Sequence, residues 1–323
     1  MSRRRLIWTV VAGAVLLVAG FVGVVLATSG SSSDGLVLYS ARSHYGEEKP
    51  FEDFAKKTGT DLTIRGGDAS ELYERLSAEG SNTPADILIT VDAANLWRAQ
   101  HAGFIDSWKP LTLRARTIMR STERVGPDDV TTYEGLGDPR WKGKLCLRSG
   151  TSEYNVSFMA DRMAKDGRAA TERMLRRWMA NARKPFFPSD TDVLEAIKDG
   201  DCDVGLTNSY YLGRELADDP NFPVAPVWAD QNGRGTHVNM SGLGVIHWSD
   251  RTAKARELID YLREPAQQEI FIKNNHEYPA VEGVKPDPVM ARFGTFKRDM
   301  IDVPRAGPLL DDALKLMDAV GWD

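Results

Sequence analysis

Two cysteines and five histidines are all that this 323-residue chain offers as thiolate or imidazole donors. Zinc, copper and nickel sites ask for more of one or the other, so the composition does not support a soft or borderline metal centre. Also missing are a G-x-S-x-G elbow, an H-E-x-x-H helix, a C-x-x-C pair and a G-x-G-x-x-G turn after a strand. Without them, nothing marks an enzyme such as a secreted hydrolase. There is no excess of positive charge either. The formal net charge is −5, and setting aside Arg3, Arg4 and Arg5 takes it to −8, which argues against a nucleic-acid partner.

What is present begins with an export segment. Ser2-Arg-Arg-Arg5 precedes an uncharged apolar run from Leu6 to Thr28, and Val25-Leu-Ala27 supplies the small residues of a cleavage site. A run of that length can also span a bilayer uncut. Residues 1–28 are therefore read as a signal peptide or an N-terminal membrane anchor, and residues 29–35 as a flexible linker. Arginines before the run and none just after it place the rest of the chain outside the cytoplasm in both cases. In an oxidising compartment the isolated pair Cys146 and Cys202 predicts a disulfide, the other reading being two buried thiols.

Beyond the linker, apolar runs alternate with helix-like stretches, which predicts an α/β protein. Strands are expected at Leu36–Ala41, Asp61–Arg65, Asp86–Thr90, Lys144–Arg148 and Asp203–Thr207. Helices are expected at Glu47–Thr58, Asp68–Glu79, Thr191–Lys198 and Thr252–Arg263, with others from Ser152 and Thr171. The length suits two lobes, read as 36–130 plus 238–288 and 131–237 plus 289–323. They would form a clamshell whose cleft is lined by strand carboxyl ends and helix amino ends.

Oxygen donors gather at three of those strand ends. Tyr210 and Tyr211 follow Asp203-Val-Gly-Leu-Thr207, His44 and Tyr45 follow Leu36-Val-Leu-Tyr-Ser40, and Tyr154 follows the strand at Lys144–Arg148. Phenolate is a hard anionic donor suited to a trivalent cation such as Fe(III). Taken singly, each tyrosine reads as packing, His44 as a surface histidine, and Arg42 and Arg148 as surface cations. Their conjunction in an exported α/β chain points to a metal.

Four stretches carry a family resemblance: Tyr39-Ser-Ala-Arg-Ser-His-Tyr45, Pro84-Ala-Asp-Ile-Leu88, Trp141-Lys-Gly-Lys-Leu-Cys-Leu-Arg-Ser149 with Tyr154-Asn155, and Gly200-Asp-Cys-Asp-Val-Gly-Leu-Thr-Asn-Ser-Tyr-Tyr211. On these residues the chain resembles the iron(III)-binding periplasmic receptors of ABC uptake systems, the ferric-binding-protein family with a type II periplasmic binding fold, in its tyrosine-rich branch. The similarity runs from about residue 36 to Gly283.

The resemblance implies that His44, Tyr45, Tyr154, Tyr210 and Tyr211 are metal ligands, His44 being a direct ligand or a neighbour of one. It also implies that Arg42 and Arg148 lie behind the phenolates or hold a synergistic anion such as carbonate. Fe(III) is then the transported ligand, an inner-membrane ABC permease the partner, and the protein a periplasmic monomer, released or tethered. Some members use a glutamate after Pro-Ala-Asp; here the segment reads Leu88-Ile-Thr-Val-Asp92, and Asp92 is expected to cap a helix. The alternative is a receptor of the same fold for an organic or oxyanion solute such as a phosphonate, thiamine or a polyamine. His101, His237, His247 and His276 have no motif around them and are read as structural or exposed.

Overall fold

The computed structural model describes residues 35–42 and 48–323. The export segment, the linker up to residue 34, and the predicted ligands His44 and Tyr45 lie outside the described residues. No described helix is long and apolar enough to cross a membrane.

Among the described residues, ten strands run in the order β1 (Leu36–Ser40), β2 (Leu62–Gly66), β3 (Ile87–Thr90), β4 (Ile105–Ser121), β5 (Leu145–Leu147), β6 (Val204–Asn208), β7 (Val224–Val227), β8 (Thr236–Ile246), β9 (Tyr278–Pro279) and β10 (Arg298–Met300). Between and after them lie α1 (Lys49–Thr58), α2 (Ala69–Glu79), α3 (Ala93–His101), α4 (Glu153–Asp166), α5 (Arg168–Asn181), α6 (Asp190–Lys198) and α7 (Ser209–Asp218). The remaining helices are α8 (Thr252–Leu262), α9 (Pro265–Asn275), α10 (Pro288–Ala291), α11 (Val303–Ala306) and α12 (Leu310–Ala319). The α/β expectation holds.

The sheet path is β2-β1-β3-β8-β4-β6-β5. Parallel pairing of β1 with β2 and β3 follows from the helical crossovers between them. β4 is the joint of the sheet. Its first part, to Ala115, pairs antiparallel with β8, and from Arg116 onward it pairs with β6 and β7. Apolar residues of β1, β3 and β8 pack with those of α1, α8 and α9, among them Leu38, Ile89, Phe54, Leu243, Leu258 and Phe271. A second core gathers Tyr133, Phe158, Trp178, Leu206 and Trp322 around α4, α5 and β6.

Helix starts follow the cap chemistry of the chain. Asp68 and Glu71 form a capping box at α2, and the Asp92 carboxylate accepts from the backbone of Ala94 and Asn95 at the start of α3, as expected. The helix expected from Thr171 starts earlier, at Arg168, because Gly167 at φ 84° ends α4 and leads straight into α5.

Candidate metal centre

β5 and β6 are parallel neighbours, with Cys146 beside Gly205, and helices α4 and α7 follow their carboxyl ends. That register brings the amino ends of the two helices together. Tyr154 sits in the first turn of α4, and Tyr210 and Tyr211 in the first turn of α7. The phenol oxygens of Tyr154 and Tyr210 are 3.2 Å apart, and the Tyr210 and Tyr211 rings stack with centroids 4.2 Å apart. All three side chains are buried. Cys146 and Cys202 form a disulfide with Cα atoms 5.8 Å apart, bracing β5 against the residues that enter β6.

Cations surround the phenols. Arg148 leaves β5 with its guanidinium 5.5 Å from the Tyr154 ring centre, and Arg114 of β4 lies 5.6 Å from the same ring. Arg214, one turn into α7, is 4.9 Å from the Tyr210 ring and 5.6 Å from that of Tyr211. Burial works against the Arg148 charge, yet Asp190 and the phenols of Tyr211, Tyr154 and Tyr210 outweigh it and raise its pKa. Its Nη1 is buried with no hydrogen-bond partner among the described residues.

Burial, and next the Asp190 carboxylate, pushes the Tyr211 phenol up, against the pull of the Tyr210 hydrogen bond and of Arg148 and Arg214. At neutral pH Tyr211 is thus a neutral phenol. A metal bound through this phenol would have to displace its proton, which a trivalent cation does best.

Arg42 is bound into a buried carboxylate network. Its Nε and Nη2 donate to Glu48 at 2.9 and 2.7 Å, Nη2 also to Glu277 at 2.9 Å, and Nη1 to Ser241 at 2.7 Å. Arg114 pairs with the other oxygen of Glu277 at 3.0 Å. Burial alone would raise the pKa of Glu277, but Arg42 and Arg114 hold it down at about 2.

Among the described residues, no three His, Cys, Asp or Glu side chains are grouped so as to hold a metal. Asp92 is buried and engaged in capping, its oxygens taken by the backbone and by Asn95 Nδ2 at 2.6 Å. Glu153 precedes Tyr154 and borders a cavity of about 280 Å³ with Asn95, Arg98, Arg148 and Ser152. Burial, followed by Asp92 and Asp68, raises its pKa to about 8.

The other histidines are structural or exposed, as expected. His237 pairs with Asp161 at 2.9 Å in the interior, His276 lies 3.2 Å from Asp287, His247 meets Asp106 at the surface, and His101 stacks on Trp97. Sequence reasoning missed Arg114, Arg116, Glu153, Arg214 and Glu277. Only Arg214 had a readable signal, three and four residues after the tyrosines and so on their side of a helix.

Residues 51–274 match the family described as bacterial extracellular solute-binding protein. Iron uptake protein A1 of Synechocystis sp. is 36% identical over 311 residues, 88% of this chain and 86% of its own length. A Trichodesmium IdiA (FutA) structure in complex with iron and citrate ligands is 37% identical, with a TM-score of 0.81 over 90% of this chain and 100% of that one. The apo ferric ion-binding protein A of Pasteurella haemolytica is 33% identical, with a TM-score of 0.84 over 90% of this chain and 99% of its own. The chain belongs to the bacterial extracellular solute-binding protein family, and its fold is the type II periplasmic binding fold of the ferric-binding proteins.

Proposed function

We propose that this protein is an extracytoplasmic receptor that binds Fe(III) through tyrosine phenolates and delivers it to an ABC permease, and is not an enzyme. The observation that carries the reading is the meeting of Tyr154 and Tyr210 oxygens at 3.2 Å, beside Tyr211 and among three arginines. Iron-binding relatives along nearly the whole chain support it. They also disfavour the reading as a receptor for a phosphonate, thiamine or a polyamine.

Tyr45 and His44 would complete the shell from the segment between Arg42 and Glu48. The two lobes, 36–130 plus 238–288 and 131–237 plus 289–323, would close on the metal. The change of β4 partners after Ala115 supports a pivot in that strand. An anion such as carbonate has a natural seat near Arg148 and Ser152, whose buried Nη1 and hydroxyl have no hydrogen-bond partner among the described residues. The receptor would work as a periplasmic monomer, released or held at the inner membrane by residues 1–28.

Titration of the purified protein with Fe(III) under absorption spectroscopy tests this. One equivalent should bind and give a phenolate-to-iron charge-transfer band in the visible. Affinity should fall about tenfold per pH unit for each phenol proton displaced. A protein that stays colourless and iron-free after ferric loading would exclude the reading.

A further inference from the structure

Arg116 is a buried cation tied to three helix amino ends at once. Its Nε and Nη2 donate to Asn155 Oδ1 at 2.9 and 2.5 Å, in the first turn of α4. Nη1 donates to Asp190 Oδ2 at 3.1 Å, at the start of α6, and to Asn208 Oδ1 at 3.2 Å, the cap residue of α7. Asp190 closes the circle by accepting from the backbone N–H of Asn208 at 2.9 Å. All four residues are buried. Asn155 also donates to the carbonyls of Ser149 and Arg148, fixing the turn that leads into α4.

The strand that carries Arg116 is the joint of the sheet, and Arg116 is the first β4 residue to pair with β6, directly opposite Asn208. Asn155 follows Tyr154 by one residue, and Asn208 precedes Tyr210 by two. A planar fork with fixed donor directions therefore sets the spacing between the two helix ends that bear phenols. Three helix amino ends around a guanidinium would repel one another and the cation; the Asp190 carboxylate offsets that.

We propose that Arg116 is the positioning residue of the metal centre, holding α4 and α7 at the separation that lets Tyr154 and Tyr210 bind one ion. This rests on the reading of those tyrosines as iron ligands. The test is a double-mutant cycle on the full protein, reading iron affinity and the charge-transfer band with thermal stability alongside.

Asn155→Ala cuts the α4 arm together with the bonds of Asn155 to the Ser149 and Arg148 carbonyls, whereas Arg116→Lys leaves those bonds in place. The Asn155 change should weaken iron binding about tenfold and shift the band in the native background, yet have almost no effect in Tyr154→Phe. Arg116→Lys, which keeps the charge but loses the fork, should shift the band more than Asn155→Ala does. Equal losses of affinity from Asn155→Ala in both backgrounds, or lower stability with affinity and band unchanged, would overturn the proposal. If Tyr154→Phe itself leaves affinity and band unaltered, the ligand reading has failed, and the positioning proposal falls with it.

Discussion

Two sets of arginines, one buried beside β4 and one half-buried beside the tyrosines, differ in what faces them. Near the middle of β4, Arg42 and Arg114 share the carboxylate of Glu277, and Arg42 also holds Glu48, so cation and anion are matched within the scaffold. Beside the tyrosines, Arg148 and Arg214 face phenol rings, and among the described residues one nitrogen of Arg148 has no hydrogen-bond partner. A permanent ion pair stabilises a fold but offers nothing to a ligand. Arginines set against phenols would instead favour the anions that the phenols would become if a metal took their protons.

Replacing both Tyr210 and Tyr211 by Phe should have the largest effect. Iron affinity should fall by more than the ~10–100-fold typical of a lost supporting residue, and the visible band should vanish, as read by metal analysis and absorption. Glu277→Gln attacks the matched set instead. Leaving two buried arginines short of a carboxylate should cost about 3–5 kcal/mol of stability by denaturant unfolding.

The same contrast extends to acid. Glu277 is held at about 2 by Arg42 and Arg114 against its burial, and Asp161 at about 2 by His237 and Lys165 against its own. A depressed carboxylate contributes stability that is complete above its unfolded pKa of ~4 and is lost as pH falls through the folded value. Unfolding measured from pH 6 down to about 2 should therefore reveal a loss on the order of 2–3 kcal/mol from each group. Iron should leave at higher pH than the fold does, because phenol protonation precedes protonation of these carboxylates. The smallest effect is expected from Arg148→Gln: an affinity about tenfold lower, and a binding curve displaced to higher pH, with stability little changed.

Short apolar strands were readable because each is bounded by turn residues: β1, β2, β3, β5 and β6 fall within a residue or so of where hydrophobicity and flanking Gly or Asp place them. Helices α2, α6 and α8 follow their caps and periodicity equally well. β4 was not readable. Its 17 residues include Pro110 and the buried Arg114 and Arg116, and its burial pattern has no simple alternation because it serves two halves of the sheet.

Helix α7 was hidden for a local reason. Gly213 weakens helix propensity inside it, yet a side chain there would meet His276 Cβ at 2.7 Å, so close packing against the end of α9 demands glycine. The phenols themselves could be picked out from residue type and strand ends. Arg114, Arg116 and Glu277 could not, since charged residues are by default exposed and their pairing joins segments more than 70 residues apart.

The central claim is that the buried phenols of Tyr154, Tyr210 and Tyr211 turn to one ion. A crystal structure of the iron-loaded protein, with anomalous data collected at the iron edge, tests it most directly. The account predicts a single strong peak within bonding distance of those three phenol oxygens. A peak bound elsewhere, or reached by only one of the three, would contradict it.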